Sequence, residues 1–120
     1  MTDPVEFRRL MGFWATGVSV VTASGEEGPH GATLNALTSL SLAPPLLLVC
    51  FDHSARTLGA IRQAGRFAVN VLASGQEDVS RRFTGKQPMA EKFVGLAWGE
   101  VHGAPVIDGC LAAVVCDVTE

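Results

Sequence analysis

Four uncharged polar residues, Thr33, Asn35, Ser39 and Ser41, share one parity within residues 28–51, a stretch that holds no Asp, Glu, Lys or Arg. Ala32, Leu34, Ala36, Leu40 and Leu42 take the other parity. Period two is the strand signature, so the two sets should line opposite faces of extended chain. Amide and hydroxyl side chains offer donors and acceptors without net charge. That suits a neutral heteroaromatic ring with alternating N–H and C=O groups. The other reading is a solvated strand face, although such faces usually carry Lys or Glu and this one carries neither.

A second candidate follows at Asp52-His53-Ser54-Ala55-Arg56-Thr57. Ser54 is placed to cap a helix, which puts Arg56 in the first helical turn. A cation there opposes the helix dipole. The placement is favourable when an anion occupies the helix start, where free amides, two hydroxyls and a guanidinium would hold a phosphate. An ordinary cap with a solvated Arg is the alternative. Both candidates fall at consecutive strand ends, so one phosphorylated ring ligand could span them.

Other chemistries find no support. There is no G-x-G-x-x-G after a strand, and Gly85-Lys86-Gln87 lacks the Ser or Thr of a phosphate-binding P-loop. His30, His53 and His102 are scattered without metal-ligand spacing, so no metal is expected. Asp52, His53 and Ser54 are consecutive, and three consecutive residues cannot surround one reacting atom as a triad does. No catalytic side chain is therefore assigned. Nine Lys and Arg against twelve Asp and Glu, a net charge of -3, argue against a nucleic-acid partner or a basic membrane-surface helix. Cys50, Cys110 and Cys116 form no C-x-x-C pair, which suggests free thiols in a reducing compartment. Together with a start that lacks signal-peptide character, this predicts a cytoplasmic protein.

The elements that must position these residues follow from the same pattern. With 120 residues, 48% of them apolar, the chain suits one domain with a sizeable core. Asp3 and Pro4 start a first helix with Phe7, Leu10, Met11 and Trp14 on one stripe, ended between Gly12 and Gly17. Residues 18–23 are β-branched and predict a strand, returning as a hairpin through residues 25–29. The alternating strand runs to Pro44-Pro45, and residues 46–51 read as a central strand buried on both faces. A helix from Ser54 to about Gln63 turns Leu58 and Ile61 inward and stops at Gly65. Residues 67–72 form a strand, residues 76–83 a short helix, and residues 85–95 mostly loop. Residues 96–98 and 110–118 are later strands, with Gly103, Pro105 and Gly109 punctuating between them. The sum is a mostly antiparallel β-barrel with a few short helices.

In order along the chain, several motifs resemble those of the flavin reductase-like domain family, whose fold is a split β-barrel that binds FMN or FAD. They are Thr16-Gly17-Val18-Ser19-Val20-Val21-Thr22, Pro29-His30-Gly31-Ala32-Thr33-Leu34-Asn35-Ala36 and Thr38-Ser39-Leu40-Ser41-Leu42-Ala43-Pro44-Pro45-Leu46. Ser54-Ala55-Arg56-Thr57, Phe67-Ala68-Val69-Asn70-Val71-Leu72, Gln76, Phe83, Lys92-Phe93 and Gly103-Ala104-Pro105-Val106 continue the match. The resemblance implies a mainly β split barrel that reduces free flavin with NADH or NADPH. It also implies a homodimer that supplies reduced flavin to a partner monooxygenase. By position it makes Thr33, Asn35 and Ala36 contacts to the isoalloxazine ring and ribityl chain, joined by Ser39 and Ser41. Ser54, Arg56 and Thr57 become the phosphate end, with Cys50 and Asp52 flanking the same strand end. Phe83 and Lys92 lie toward the nicotinamide or the ring edge.

Family members carry a Gly-Asp-His segment after the last strand seen here, whereas this sequence ends at Val118-Thr119-Glu120. The expectation is a single flavin reductase-like domain over residues 1–120 without that C-terminal segment, whose histidine is placed near the nicotinamide in the family. The competing expectations are a flavin-binding redox or sequestering protein without nicotinamide-dependent activity, and a split-barrel relative that binds haem or pyridoxal phosphate.

Overall fold

The computed structural model describes residues 3–11 and 17–119. Gly12, Trp14 and Thr16, which the sequence places in the first helix and first motif, lie outside them. In chain order the elements are α1 (Pro4–Met11), β1 (Ser19–Gly25), β2 (Gly28–Leu34), β3 (Leu37–Leu42), β4 (Pro45–Val49), α2 (Arg56–Ala64), β5 (Arg66–Val71), α3 (Glu77–Arg82), α4 (Met89–Lys92), β6 (Trp98–Val101), β7 (Ala104–Ile107) and β8 (Ala112–Asp117). The fold is mainly β with short helices. One antiparallel sheet runs β2-β1-β5-β8, and β3-β4 and β6-β7 form separate hairpins.

β1 is the strand buried on both faces. Val20, Val21, Thr22 and Ala23 are fully or almost fully buried. Their alternation splits the core. Val21 and Ala23 join Phe67 and Val69 of β5 and Ala60 and Ile61 of α2 on one face. Val20 joins Val79, Phe83, Phe93 and Ile107 on the other. On that second face Asn70 is fully buried. Its amide nitrogen donates to Val20 O at 2.9 Å and to Thr22 Oγ1 at 3.1 Å, and its carbonyl accepts Ile107 N at 2.9 Å. Thr22 Oγ1 in turn donates to Pro105 O. One side chain thus ties β1, β5 and β7 together.

Several sequence expectations are corrected. The alternating run is two strands, not one. β2 ends at Leu34 because β1 ends opposite it, with Ser19 the partner of Leu34 and its hydroxyl donating to Leu34 O at 2.8 Å. The chain then leaves the sheet through Asn35 and Ala36 and pairs with β4 instead. A bulge between Ser39 and Ser41 further shifts the parity. β4 is not a central strand. It pairs only with β3, so Leu46 and Leu48 stay exposed while Leu47 and Val49 pack on the core. β7 was read as punctuation because of Pro105; as the partner of β6 alone it tolerates a residue with no N–H to donate.

Other expectations hold. Asp3 Oδ1 caps α1 by accepting Glu6 N at 2.8 Å, although Phe7, Leu10 and Met11 face solvent. Gly65 ends α2 in the left-handed region, φ 72°, with its amide on Ile61 O at 2.8 Å. Gly31 is required for a different reason. A Cβ there would sit 2.7 Å from Cε1 of the Phe83 ring, which packs against β2 at this point.

Replacing Asn70 with Ala removes all three side-chain bonds and leaves the buried Ile107 amide unpaired. We expect a loss of about 3 kcal/mol in folding free energy, read from urea unfolding midpoints. A change below about 0.5 kcal/mol, the range of ordinary surface substitutions, would show that Asn70 does not hold β7 on the sheet.

Candidate functional site

The start of α2 differs from expectation in one respect. Ser54 is not the cap. Its amide and hydroxyl both donate to Asp52 Oδ1, at 3.0 and 2.9 Å, which closes a tight turn and holds the Asp52 carboxyl below the usual carboxylate range. Ala55 takes the cap position in extended geometry, φ -65° and ψ 128°, and offers no side-chain acceptor. The amides of the first turn are therefore uncapped by any side chain. Arg56 is the first helical residue, as the dipole argument requires. Its Nη1 donates to Gln87 O at 2.9 Å, so the guanidinium reaches from α2 to the loop between α3 and α4. Thr57 is 1% exposed, and its hydroxyl has no hydrogen-bond partner.

Lys92, on α4, is 2% exposed. Its Nζ is 3.5 Å from Phe83 O and meets no carboxylate among the described residues. Burial, followed by the nearby Arg56 charge, pulls its pKa below the ordinary lysine value. An ammonium taken out of water without a counter-charge costs several kcal/mol. The only ion pair between side chains of the described residues, Arg66 with Asp117, lies elsewhere. Arg56 and Lys92 thus form a cationic pair next to an unsatisfied hydroxyl and an uncapped helix start. Arg56 is itself exposed to solvent, so the buried Lys92 ammonium and Thr57 hydroxyl are the groups that an anion docked here would satisfy.

The remaining sequence candidates fall into two groups. Thr33, next to last in β2, lies beside Phe83: its amide donates to Phe83 O at 3.3 Å and its hydroxyl to Ser80 O at 2.6 Å. Asn35 and Ala36 are exposed in the break after β2, and Cys50 N closes onto Ala36 O at 2.9 Å. Cys50 and Asp52 then lead into the α2 turn. Phe83 is 2% exposed and packs edge-on against Phe93 at 5.1 Å. Thr33, Asn35, Ala36, Cys50, Asp52, Ser54, Arg56, Thr57, Phe83 and Lys92 are thus linked around the end of β2 and the start of α2. Ser39 and Ser41 are elsewhere. They line an apolar groove of about 720 Å³ between the β3-β4 hairpin, α2 and β8. Two participants were missed from sequence. Gln87 contributes a backbone carbonyl, which leaves no sequence signal. His30 could have been found by counting back along β2 from the hairpin turn, which puts it opposite Ala23 on the face covered by α2.

The sequence model of the flavin reductase like domain matches residues 11–120. The reductase subunit HsaB of a flavin-dependent monooxygenase from Mycobacterium tuberculosis is 42% identical over 117 residues, which cover 97% of this chain and 62% of that protein. The chain therefore spans about three fifths of that relative's length. A nitrilotriacetate monooxygenase component B homologue from Mycobacterium thermoresistibile superposes with a TM-score of 0.91 at 40% identity, covering 97% of this chain and 64% of that one. The NADH:FAD oxidoreductase SgcE6 of Streptomyces globisporus, solved with NAD and FAD fragments, gives a TM-score of 0.89 at 38% identity, covering 100% and 74%.

Lys92→Met keeps the side-chain volume and removes the unpaired buried charge. The unliganded variant should be more stable than the parent near neutral pH, with a higher unfolding midpoint. The parent's stability should also depend on pH in a stated direction. The unfolded chain keeps this proton up to the ordinary lysine value while the folded chain releases it earlier, so stability rises as pH climbs toward that value. Thermal unfolding across that range should show the rise in the parent and its loss in the variant. A variant less stable than the parent would mean that the charge is already compensated.

Proposed function

The chain belongs to the flavin reductase-like domain family, and on that premise we propose that it carries a hydride from NADH or NADPH to FMN or FAD and supplies the reduced flavin to a flavin-dependent monooxygenase. The observation that carries the reading is Lys92, a buried cation with no carboxylate partner among the described residues, which feels the charge of Arg56, the neighbour of the unsatisfied Thr57 hydroxyl in the first turn of α2. A flavin phosphate fits that donor set. Arg56, Thr57 and Lys92 would hold it with the uncapped amides of α2. Thr33, Asn35 and Ala36, in the break where the chain leaves the sheet, would hold the ring.

A bound flavin supplies the hydride acceptor, so no side chain of this protein has to act as nucleophile or base. The protein's part is binding and orientation. Bringing the two reacting rings to about 3–3.5 Å is the main source of rate. The Ala36 amide would stabilise negative charge at the ring's N1–C2=O edge. Thr33, with its hydroxyl donated to Ser80 O, offers that oxygen's lone pairs to a ring N–H.

The split-barrel arrangement, a homodimer and a cytoplasmic location belong to the same proposal. Leu42, Leu46, Leu48 and Val114 are all exposed around the apolar groove, Leu42 at 89%. That much contiguous apolar surface marks an interface, and a second copy of the chain is the proposed occupant. The three cysteines are unpaired, and no helix among the described residues is long and apolar enough to cross a membrane.

Arg56→Ala should weaken FMN and FAD binding by about 10- to 150-fold, the loss of one charge-assisted hydrogen bond. Riboflavin, which lacks the phosphate, should bind parent and variant equally. Equal losses for all three flavins would remove Arg56 from the phosphate, and no flavin-dependent NADH or NADPH oxidation by the parent would overturn the function. Sedimentation at micromolar concentration should show a dimer that Leu42→Glu dissociates; a monomeric parent would leave the groove without its proposed occupant.

A further inference from the structure

Of the buried side-chain polar atoms among the described residues, two lack a hydrogen-bond partner: Thr57 Oγ1 and His30 Nδ1. The flavin reading absorbs the first and leaves the second unexplained. His30 lies on β2 opposite Ala23, on the face covered by α2. Its other ring edge is pressed against the β1-β2 turn, where a Cβ on Gly25 would come within 2.5 Å of Cδ2 and 2.8 Å of Nε2. The ring is therefore held in place by backbone, with Nδ1 turned away from water.

The charges facing His30 come from two elements. Arg56 faces it from the start of α2 and Glu27 from the β1-β2 turn. Glu26, on the same turn, is bonded to Gln63 Nε2 at 2.6 Å. Behind Arg56 stands Lys92 of α4. Burial, then Arg56, lower the pKa of His30 from its ordinary value, and Glu27 only partly opposes them. The unliganded site thus disfavours the charged form of His30, through burial first and the Arg56 charge second.

An anion docked at Arg56, Thr57 and Lys92 reverses this balance. We propose that His30 takes up a proton when a phosphate-bearing flavin docks, so that the site's affinity for phosphorylated flavins is proton-linked through this one side chain. The proposal rests on the flavin reading of the site. Linkage is reciprocal: whatever factor the anion gives to proton binding at His30, the proton returns to anion binding. Affinity therefore falls as pH rises from the titration of the free protein to that of the complex, inside the range of about pH 5 to 8 where histidine changes charge.

The test is calorimetric titration of the full chain with FAD and with riboflavin, in paired buffers of different ionisation enthalpy, on the parent, His30→Gln and Glu27→Gln. FAD is the better probe because the phosphate monoester of FMN itself titrates near pH 6. For the parent with FAD we expect uptake of up to one proton and an affinity loss of about fivefold or more across that range. Riboflavin should show neither. His30→Gln should bind FAD with no uptake and a flat pH profile, and Glu27→Gln should move the uptake to lower pH. Uptake that persists in His30→Gln would assign the proton to another group such as Lys92 and overturn the inference. So would FAD binding by the parent without uptake, or an unmoved profile in Glu27→Gln. Failure of the parent to bind FAD at any pH is a separate result and would overturn the flavin reading together with this one.

Discussion

The architecture depends on the Asn70 side chain. It is buried in the middle of the sheet, where an amide without partners would cost more than it contributes. It avoids that cost by reaching three groups on two other strands: Val20 O, Thr22 Oγ1 and Ile107 N. Among the described residues the β6-β7 hairpin pairs with no other strand, so its polar attachments to the sheet are side-chain bonds: this contact and the Thr22 bond to Pro105 O in the buried layer, and Ser24 to Gly103 O and Arg66 to His102 O at its turn. With the hairpin in place, Ile107 closes a core with Phe83 and Phe93. Phe83 then lies on Gly31, and its carbonyl receives Thr33 N and Lys92 Nζ.

The site inherits its character from that chain of contacts. Lys92 is buried because Phe93, its neighbour, anchors α4 in the second core. Arg56 stands at the start of α2 because Ala60 and Ile61, one turn further on, dock on the opposite face. The two cations therefore arrive from opposite faces and meet at the edge strand β2. Neither could find a carboxylate without disturbing a core, and the Asp52 carboxylate is held in its own turn by Ser54. The fold thus buries the Lys92 ammonium beside a second cation in the free protein, a cost that an anionic ligand would relieve.

Such a site separates affinity from chemistry. In the proposed reading the cationic end would hold the phosphate, and the uncharged break at residues 33–36 would face the ring. Hydride transfer between two bound rings asks for position and a stable local field rather than a proton donor. The absence of a catalytic triad or metal-ligand spacing in the sequence agrees with that division.

Much of this was legible in the sequence, and for local reasons. Asp3 as a cap, Gly65 as a helix stop, the β-branched run of β1 and the anomalous Arg56 in a first turn are all decided within a few residues, by dihedral preference and helix electrostatics. The uncharged composition of residues 28–51 is equally plain in the sequence, and it is the ground for proposing a ring contact there. The positions of β2, β3 and β4 were not legible, because period two is shared by every half-buried strand. Only the length of β1 decides that pairing stops at Leu34. Ser54 was misplaced as a cap because its hydroxyl had a choice of partners, and the turn at Asp52 took it. The burial of Lys92 and the orphaned nitrogen of His30 belong to tertiary structure alone. Each depends on groups far away in sequence arriving at one edge of the sheet, and nothing in the local residue pattern encodes which charges will meet there.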